Sequence, residues 1–260
     1  MSGAARLEHA IRRTAEHRPA LAAFLTAGFP EMESFGSLLD RVAEEAEVVE
    51  VGVPFTDPMA DGVTIQESSR RALAAGVTLP WILDTVERAV SDTVVLMSYL
   101  NPVIALGLPT FARRASEAGV AGLIVPDLPL EECEPVKAAL DDAGIALIQL
   151  ATPVTPTERL ERLCRLSGGF VYAVTVTGTT GGDAGRTDTT LEYLGRVREA
   201  SPVPVLAGFG IRNATQVRAV AAHADGVIVG SALIEVLERG EDPIAFLRSL
   251  RDERKDESRT

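Results

Sequence analysis

The segment from Glu47 to Gln66, EVVEVGVPFTDPMADGVTIQ, gathers Glu50, Asp57 and Asp61 into one short stretch. Val48, Val49, Val51 and Val53 surround Glu50 with β-branched apolar side chains, the composition of a strand covered on both faces. A carboxylate there costs free energy unless it is paired, hydrogen-bonded or neutral. Taken alone, such a glutamate is as readily a structural hydrogen-bond acceptor as a catalyst; the aspartates of the following loop tip the reading towards chemistry. Two carboxyl groups in unlike surroundings can hold different protonation states and so divide acid and base roles. Glu50, on a dry strand, should have a raised pKa, and Asp61, on a polar loop, should stay ionised. Asp127, Tyr99 and Tyr172 are the other candidates for proton transfer or hydrogen bonding.

Other chemistries lack their residues. None of the three histidines, His9, His17 and His223, falls at the end of an apolar run, and no HExxH or Cys/His cluster offers a metal site. The two lysines are Lys137 and Lys255, one in helix-like sequence and one in the tail, which argues against a Schiff base or a lysine-anchored pyridoxal phosphate. No GxGxxG fingerprint follows an early strand, so nicotinamide chemistry has no support. Cys133 and Cys164 lie in helix-like sequence and read as reduced thiols. A formal net charge of −12 disfavours nucleic acid and anionic membrane surfaces as partners. The N-terminus has no apolar signal core and no run of apolar residues is long enough to span a bilayer, so a soluble, cytoplasmic protein is expected.

These residues need a frame. Apolar, β-rich runs recur at Ala22–Ala27, Val48–Val53, Thr93–Tyr99, Gly122–Asp127, Ala146–Ala151, Phe170–Val176, Pro204–Gly210 and Gly226–Ser231. Amphipathic stretches separate them: Phe35–Ala46, Pro80–Val90, Pro109–Ala118, Leu130–Ala143, Thr157–Ser167, Thr190–Ala200 and Ala214–Ala222. Helix-start signals stand at Pro109-Thr110, at Thr155–Glu158 and at Asn213–Thr215. This rhythm over 260 residues predicts an α/β protein with a single (β/α)8 TIM-barrel domain over 1–260. An open doubly wound sheet is the alternative. Residues 1–18 should add a helix that covers the barrel floor, and Arg251–Thr260 should be a charged, frayed tail.

In such a barrel, function gathers at the carboxyl ends of the strands. Thr180-Gly181-Gly182 follows the sixth run, Gly208-Phe209-Gly210 closes the seventh, and Gly230-Ser231 ends the eighth just before a helix over Ala232–Glu238. One such glycine would signify only a tight turn. Three sets after the last three strands point to a phosphate held by backbone amides and a helix N-terminus.

The stretch from Glu50 to Gln66, with Tyr99-Leu-Asn-Pro, Pro126-Asp-Leu-Pro-Leu-Glu-Glu, Thr180-Gly181, Gly208-Phe-Gly-Ile and Gly230-Ser231, resembles the α subunits of tryptophan synthase over nearly the whole chain. The resemblance implies a barrel that cleaves indole-3-glycerol phosphate to indole and glyceraldehyde 3-phosphate. It implies no cofactor in this chain, and a β-subunit partner that carries pyridoxal phosphate in an αββα heterotetramer. Carried over by residue, Glu50 is the catalytic acid/base and Asp61 the second carboxylate. Phe24, Tyr99, Ile124, Tyr172 and Phe209 line the indole and glycerol pocket. Gly181, Gly210, Gly230 and Ser231 hold the phosphate, Thr180 belongs to a closing loop over Thr177–Asp188, and Pro54, Asp57, Pro58 and Pro129 fall in the partner-contact segments. Three departures bear on loop closure and coupling: Val63 where proline is common, Thr179 where valine is usual, and Val176 where many members have arginine. The competing readings are another phosphate-binding barrel, a stand-alone indole-releasing lyase and a non-catalytic activating subunit.

Overall fold

The computed structural model describes residues 1–175, 184–208 and 210–251, without the side chains of 184–188. Eight parallel strands close into a barrel in sequence order. They are β1 (Ala20–Thr26), β2 (Val48–Gly52), β3 (Val94–Met97), β4 (Gly122–Ile124), β5 (Ala146–Ala151), β6 (Val171–Val174), β7 (Val205–Gly208) and β8 (Gly226–Val229), with β8 pairing back to β1. All eight apolar runs therefore became strands, and barrel closure rules out the open doubly wound sheet.

The helices outside are α1 (Gly3–Ala15), α2 (Met32–Ala43), α3 (Val63–Ala74), α4 (Leu79–Val86), α5 (Leu100–Leu106), α6 (Leu108–Glu117), α7 (Glu134–Asp142), α8 (Thr157–Leu166), α9 (Ala184–Ala200), α10 (Ala214–Ala221), α11 (Ser231–Glu238) and α12 (Pro243–Ser249). Side chains supply their starts where orphan amides need acceptors. Ser2 caps α1, Thr78 caps α4, Asn213 accepts from the Gln216 amide at 3.0 Å to cap α10, and Asp242 caps α12. The stretch expected as one helix over Leu130–Ala143 is instead a 3-10 turn, Leu130–Glu132, followed by α7. Pro135 sits in the first turn of α7, where its missing N–H has no intrahelical partner to lose.

Strand side chains alternate between two cores. Ala20, Ala22, Val48, Val95, Ile148, Phe170, Leu206 and Ile228 fill the barrel, whereas Leu21, Ala23, Val49, Val51, Val205 and Val227 pack outward under the helices. The floor is closed by α1, whose Leu7 and Ile11 are fully buried in the interior core. Glycines make this seat: a Cβ on Gly3 would stand 2.0 Å from the Ala121 carbonyl oxygen, and one on Gly169 would stand 2.8 Å from Leu7 Cδ1. At the chain's other end, the Arg251 guanidinium reaches Glu47 at 2.6 Å, and Glu47 also accepts the Leu21 amide at 2.8 Å. The remainder of the charged tail lies outside the described residues.

Leu7→Ala is expected to lower unfolding free energy in a denaturant titration by about 2–5 kcal/mol, because it opens a cavity in the floor. His9→Ala, on the exposed face of α1, should stay within about 0.5 kcal/mol of wild type.

Candidate active site

Glu50 shares the inward face of β2 with Val48, opposite Phe24 of β1 on one side and Val95 of β3 on the other. It is 2 % exposed, and its Oε2 has no hydrogen-bond partner among the described residues. Burial, helped by the nearby negative charge of Asp61, pushes the carboxyl up to about 8. At neutral pH Glu50 is thus a protonated acid inside an apolar wall, and it becomes a base once its proton is given away.

Asp61 comes from the loop between β2 and α3, which is tied in three places. The Tyr99 hydroxyl donates to Asp61 Oδ2 at 3.2 Å while accepting from the Ala60 amide at 2.8 Å, and Gln66 Nε2 donates to the Asp61 carbonyl at 2.8 Å. Phe55 stacks on the Tyr99 ring, with centroids 5.1 Å apart. Partial burial raises the Asp61 pKa, and the hydrogen bond from Tyr99 opposes that rise. The helix α3 still opens at Val63 without a proline, with Gly62 as its cap and Val63 itself exposed.

Between the two carboxyls lies a cavity of about 380 Å³ at the carboxyl ends of the strands. Phe24, Ile65, Met97, Tyr172 and Ile228 give it apolar walls. Two strand glycines make room for its aromatic rings: a Cβ on Gly52 would stand 2.5 Å from the Phe24 ring, and one on Gly208 would stand 2.5 Å from Tyr172. Gly210, Gly230 and Ser231 form its rim after β7 and β8. Gly210 holds φ +80°, a conformation that an L side chain rarely adopts, and Gly230 precedes α11, so that Ser231 opens the helix with its free amides. An apolar slot, a dry, neutral carboxyl with a second carboxyl across the cavity, and an amide-rich rim suit a flat aromatic ring joined to a phosphate through a short polar chain.

The sequence-predicted residues meet here unevenly. Glu50, Asp61, Phe24, Tyr172, Gly210, Gly230 and Ser231 share the cavity. Tyr99 reaches Asp61 from a small gap at the side of it, also lined by Pro126. Ile124 is fully buried in the interior core and is not among the residues that line the cavity. Asp127 spends a carboxylate oxygen on the Leu100 amide, at 2.9 Å, at the start of α5. Asp57 and Pro129 are exposed and Pro58 is half-buried, but Pro54 is buried within the chain and offers no outer surface. Val176, Thr179, Thr180, Gly181 and Phe209 lie outside the described residues, with most of the expected closing loop. Met97, Ile65 and Arg212 line the cavity unpredicted. Met97 was legible from the inward alternation of Val95 and Met97; Ile65 was not, since its helix went unread. A second cavity of about 390 Å³, bounded by Arg239, Glu241, Asp242 and Phe246, lies outside α11 and contains no buried acid–base pair.

Comparison with known proteins points the same way. The family model for the tryptophan synthase alpha chain matches residues 11–257. The tryptophan synthase alpha chain of Geobacter sulfurreducens is 46 % identical over 90 % of this chain and 93 % of its own, and that of Nitratidesulfovibrio vulgaris is 43 % identical over 95 % and 98 %. Among solved structures, tryptophan synthase subunit alpha from Legionella pneumophila superposes with a TM-score of 0.85 at 33 % identity, covering 96 % of this chain and 97 % of that one. A chain of the aminoacrylate-bound tryptophan synthase from M. tuberculosis does so with 0.85 at 35 %, covering 94 % and 97 %. A match of this extent leaves one assignment: the chain belongs to the tryptophan synthase alpha chain family.

Proposed function

We propose that this chain is a carbon–carbon lyase that splits indole-3-glycerol phosphate into indole and glyceraldehyde 3-phosphate, acting as the α subunit of tryptophan synthase in cytoplasmic tryptophan biosynthesis. The observation that carries this reading is the neutral, desolvated Glu50 beside Asp61 in a cavity with a glycine-rich rim. Glu50 gives its proton to indole C3, and ionised Asp61 stabilises the cationic ring through its N–H. The Glu50 carboxylate then takes the proton of the glycerol hydroxyl on the carbon attached to C3. The carbon–carbon bond breaks, its electron pair returns to the ring, the hydroxyl becomes the aldehyde, and Glu50 is again an acid. Such proton transfer is worth roughly 10²–10⁴-fold. Gly210, Gly230 and Ser231 anchor the phosphate and so orient C3 against Glu50.

The reaction needs no cofactor in this chain. The β subunit, in an αββα assembly, would supply pyridoxal phosphate and consume the indole. Exposed Met59, Val63, Ile104 and Val154, in segments that follow β2, β3 and β5, support a docking face beside the cavity mouth, where Asp57, Pro58 and Pro129 also lie. The whole of 1–260 is read as one barrel domain. Indole release by the isolated chain, with and without a β subunit, tests the assignment: release by the chain alone excludes a purely activating subunit, and stimulation by the β subunit excludes a stand-alone lyase.

Glu50→Gln should lower kcat by about 10²–10⁴-fold, with phosphate binding by calorimetry unchanged. In the wild type, kcat/KM should decline as the pH passes about 8, where free Glu50 loses its proton. The same carboxyl sets a stability cost. Below its ordinary value of 4.5 it is neutral in folded and unfolded chains alike; between there and about 8 only the unfolded chain ionises, so stability is lost as pH rises. Glu50→Gln should therefore stabilise the protein, with a gain that grows through that window and then levels off in denaturant titrations at stepped pH.

A further inference from the structure

The cavity must take in an anion with little positive charge in its walls. Its lining acids are Glu50, which rests neutral, and Asp61, in a chain of net charge −12, yet the substrate brings a phosphate dianion. Among the described lining residues a single one is cationic, Arg212. It stands two residues after Gly210 and lines both this cavity, with Gly230 and Ser231, and the outer cavity beyond α11, where Glu235 also lies.

Two contacts hold it there. The Arg212 amide donates to Gln216 Oε1 at 2.7 Å, which fixes the start of the side chain. The guanidinium forks onto both oxygens of Glu235, with Nη1 3.2 Å from Oε1 and Nη2 on Oε2. Glu235 lies one helical turn after Ser231 on α11 and lines the outer cavity, so the guanidinium rests a turn of helix away from the phosphate rim. A fork that fits a carboxylate also fits a phosphate, so Glu235 and a phosphate oxygen compete for the same donors.

Resting on the lyase reading for its substrate, we propose that Arg212 is a specificity-determining residue that favours the phosphorylated substrate, and that Glu235 holds its guanidinium in reserve a turn of helix away from the rim. The side chain is 45 % exposed, so its substitution need not disturb the barrel core. Its field acts on the approach and binding of the dianion and not on the bond broken at indole C3.

The test compares Arg212→Gln, Arg212→Lys and Glu235→Gln with wild type, each checked for folding by its thermal melt. Steady-state cleavage and calorimetric binding of inorganic phosphate are measured at stepped ionic strength. Arg212→Gln should raise KM about fivefold with kcat unchanged, weaken phosphate binding by a similar factor and flatten its salt dependence; that is the worth of one partly exposed charge pair. Arg212→Lys should recover part of the loss, since the charge remains but the fork does not. Glu235→Gln should tighten phosphate binding by freeing the guanidinium. Unchanged KM and phosphate binding in Arg212→Gln would overturn the proposal. So would an equal weakening by Glu235→Gln, which would mark the pair as structural support. If wild type releases no indole while its phosphate binding still depends on Arg212, the lyase reading fails and the Arg212 assignment stands.

Discussion

A carboxyl group held out of water without a full set of hydrogen bonds is the constraint around which this molecule is arranged. Water would return Glu50 to an ordinary pKa, and it would then be a spent base at neutral pH instead of an acid able to protonate carbon. The barrel keeps it dry by placing it on an inward strand position between Phe24 and Val95, with an apolar cavity above and an aliphatic core below. Asp61 feels the same cavity, and partial burial raises its pKa; the Tyr99 hydroxyl opposes that rise by donating to it while bonded in turn to the Ala60 amide.

The cost of this arrangement is spread through the fold. A neutral acid that would ionise freely in the unfolded chain opposes folding above its ordinary pKa, so the barrel must be secured elsewhere. It is: β8 closes onto β1, α1 seals the floor through Leu7 and Ile11, and Glu47 links the Leu21 amide to Arg251. Space for rings at the working end comes from leaving side chains out, at Gly52 for Phe24 and at Gly208 for Tyr172. Stability is concentrated at the floor and acid–base chemistry at the rim, the division of labour expected of a (β/α)8 barrel.

Much of this was legible from residue order. The eight strands could be read because each is an apolar, β-rich run between amphipathic stretches, and the acid in the second stood out because its neighbours are valines. Helix α3 hid itself: its buried face includes Ser68 and Ser69, and Ser68 meets Thr26 at 2.7 Å across to β1, so the polar contact erased the hydrophobic period. Short α5 and α12 give too few turns for a period to show. The roles of Gly52 and Gly208 depend on a ring in the neighbouring strand, and the Arg212–Glu235 fork joins two elements across intervening chain. Such pairings appear only once the barrel has closed.

The protonation state of Glu50 is the claim on which the chemistry stands, and it can be observed without turnover. Infrared difference spectroscopy of the carboxyl stretch during a pH titration, with Glu50→Gln as the subtraction reference, reports it directly. A protonated carboxyl band that persists through neutrality and disappears near pH 8 is the predicted result. A band lost near 4.5, the ordinary value for a solvated glutamate, would contradict the account.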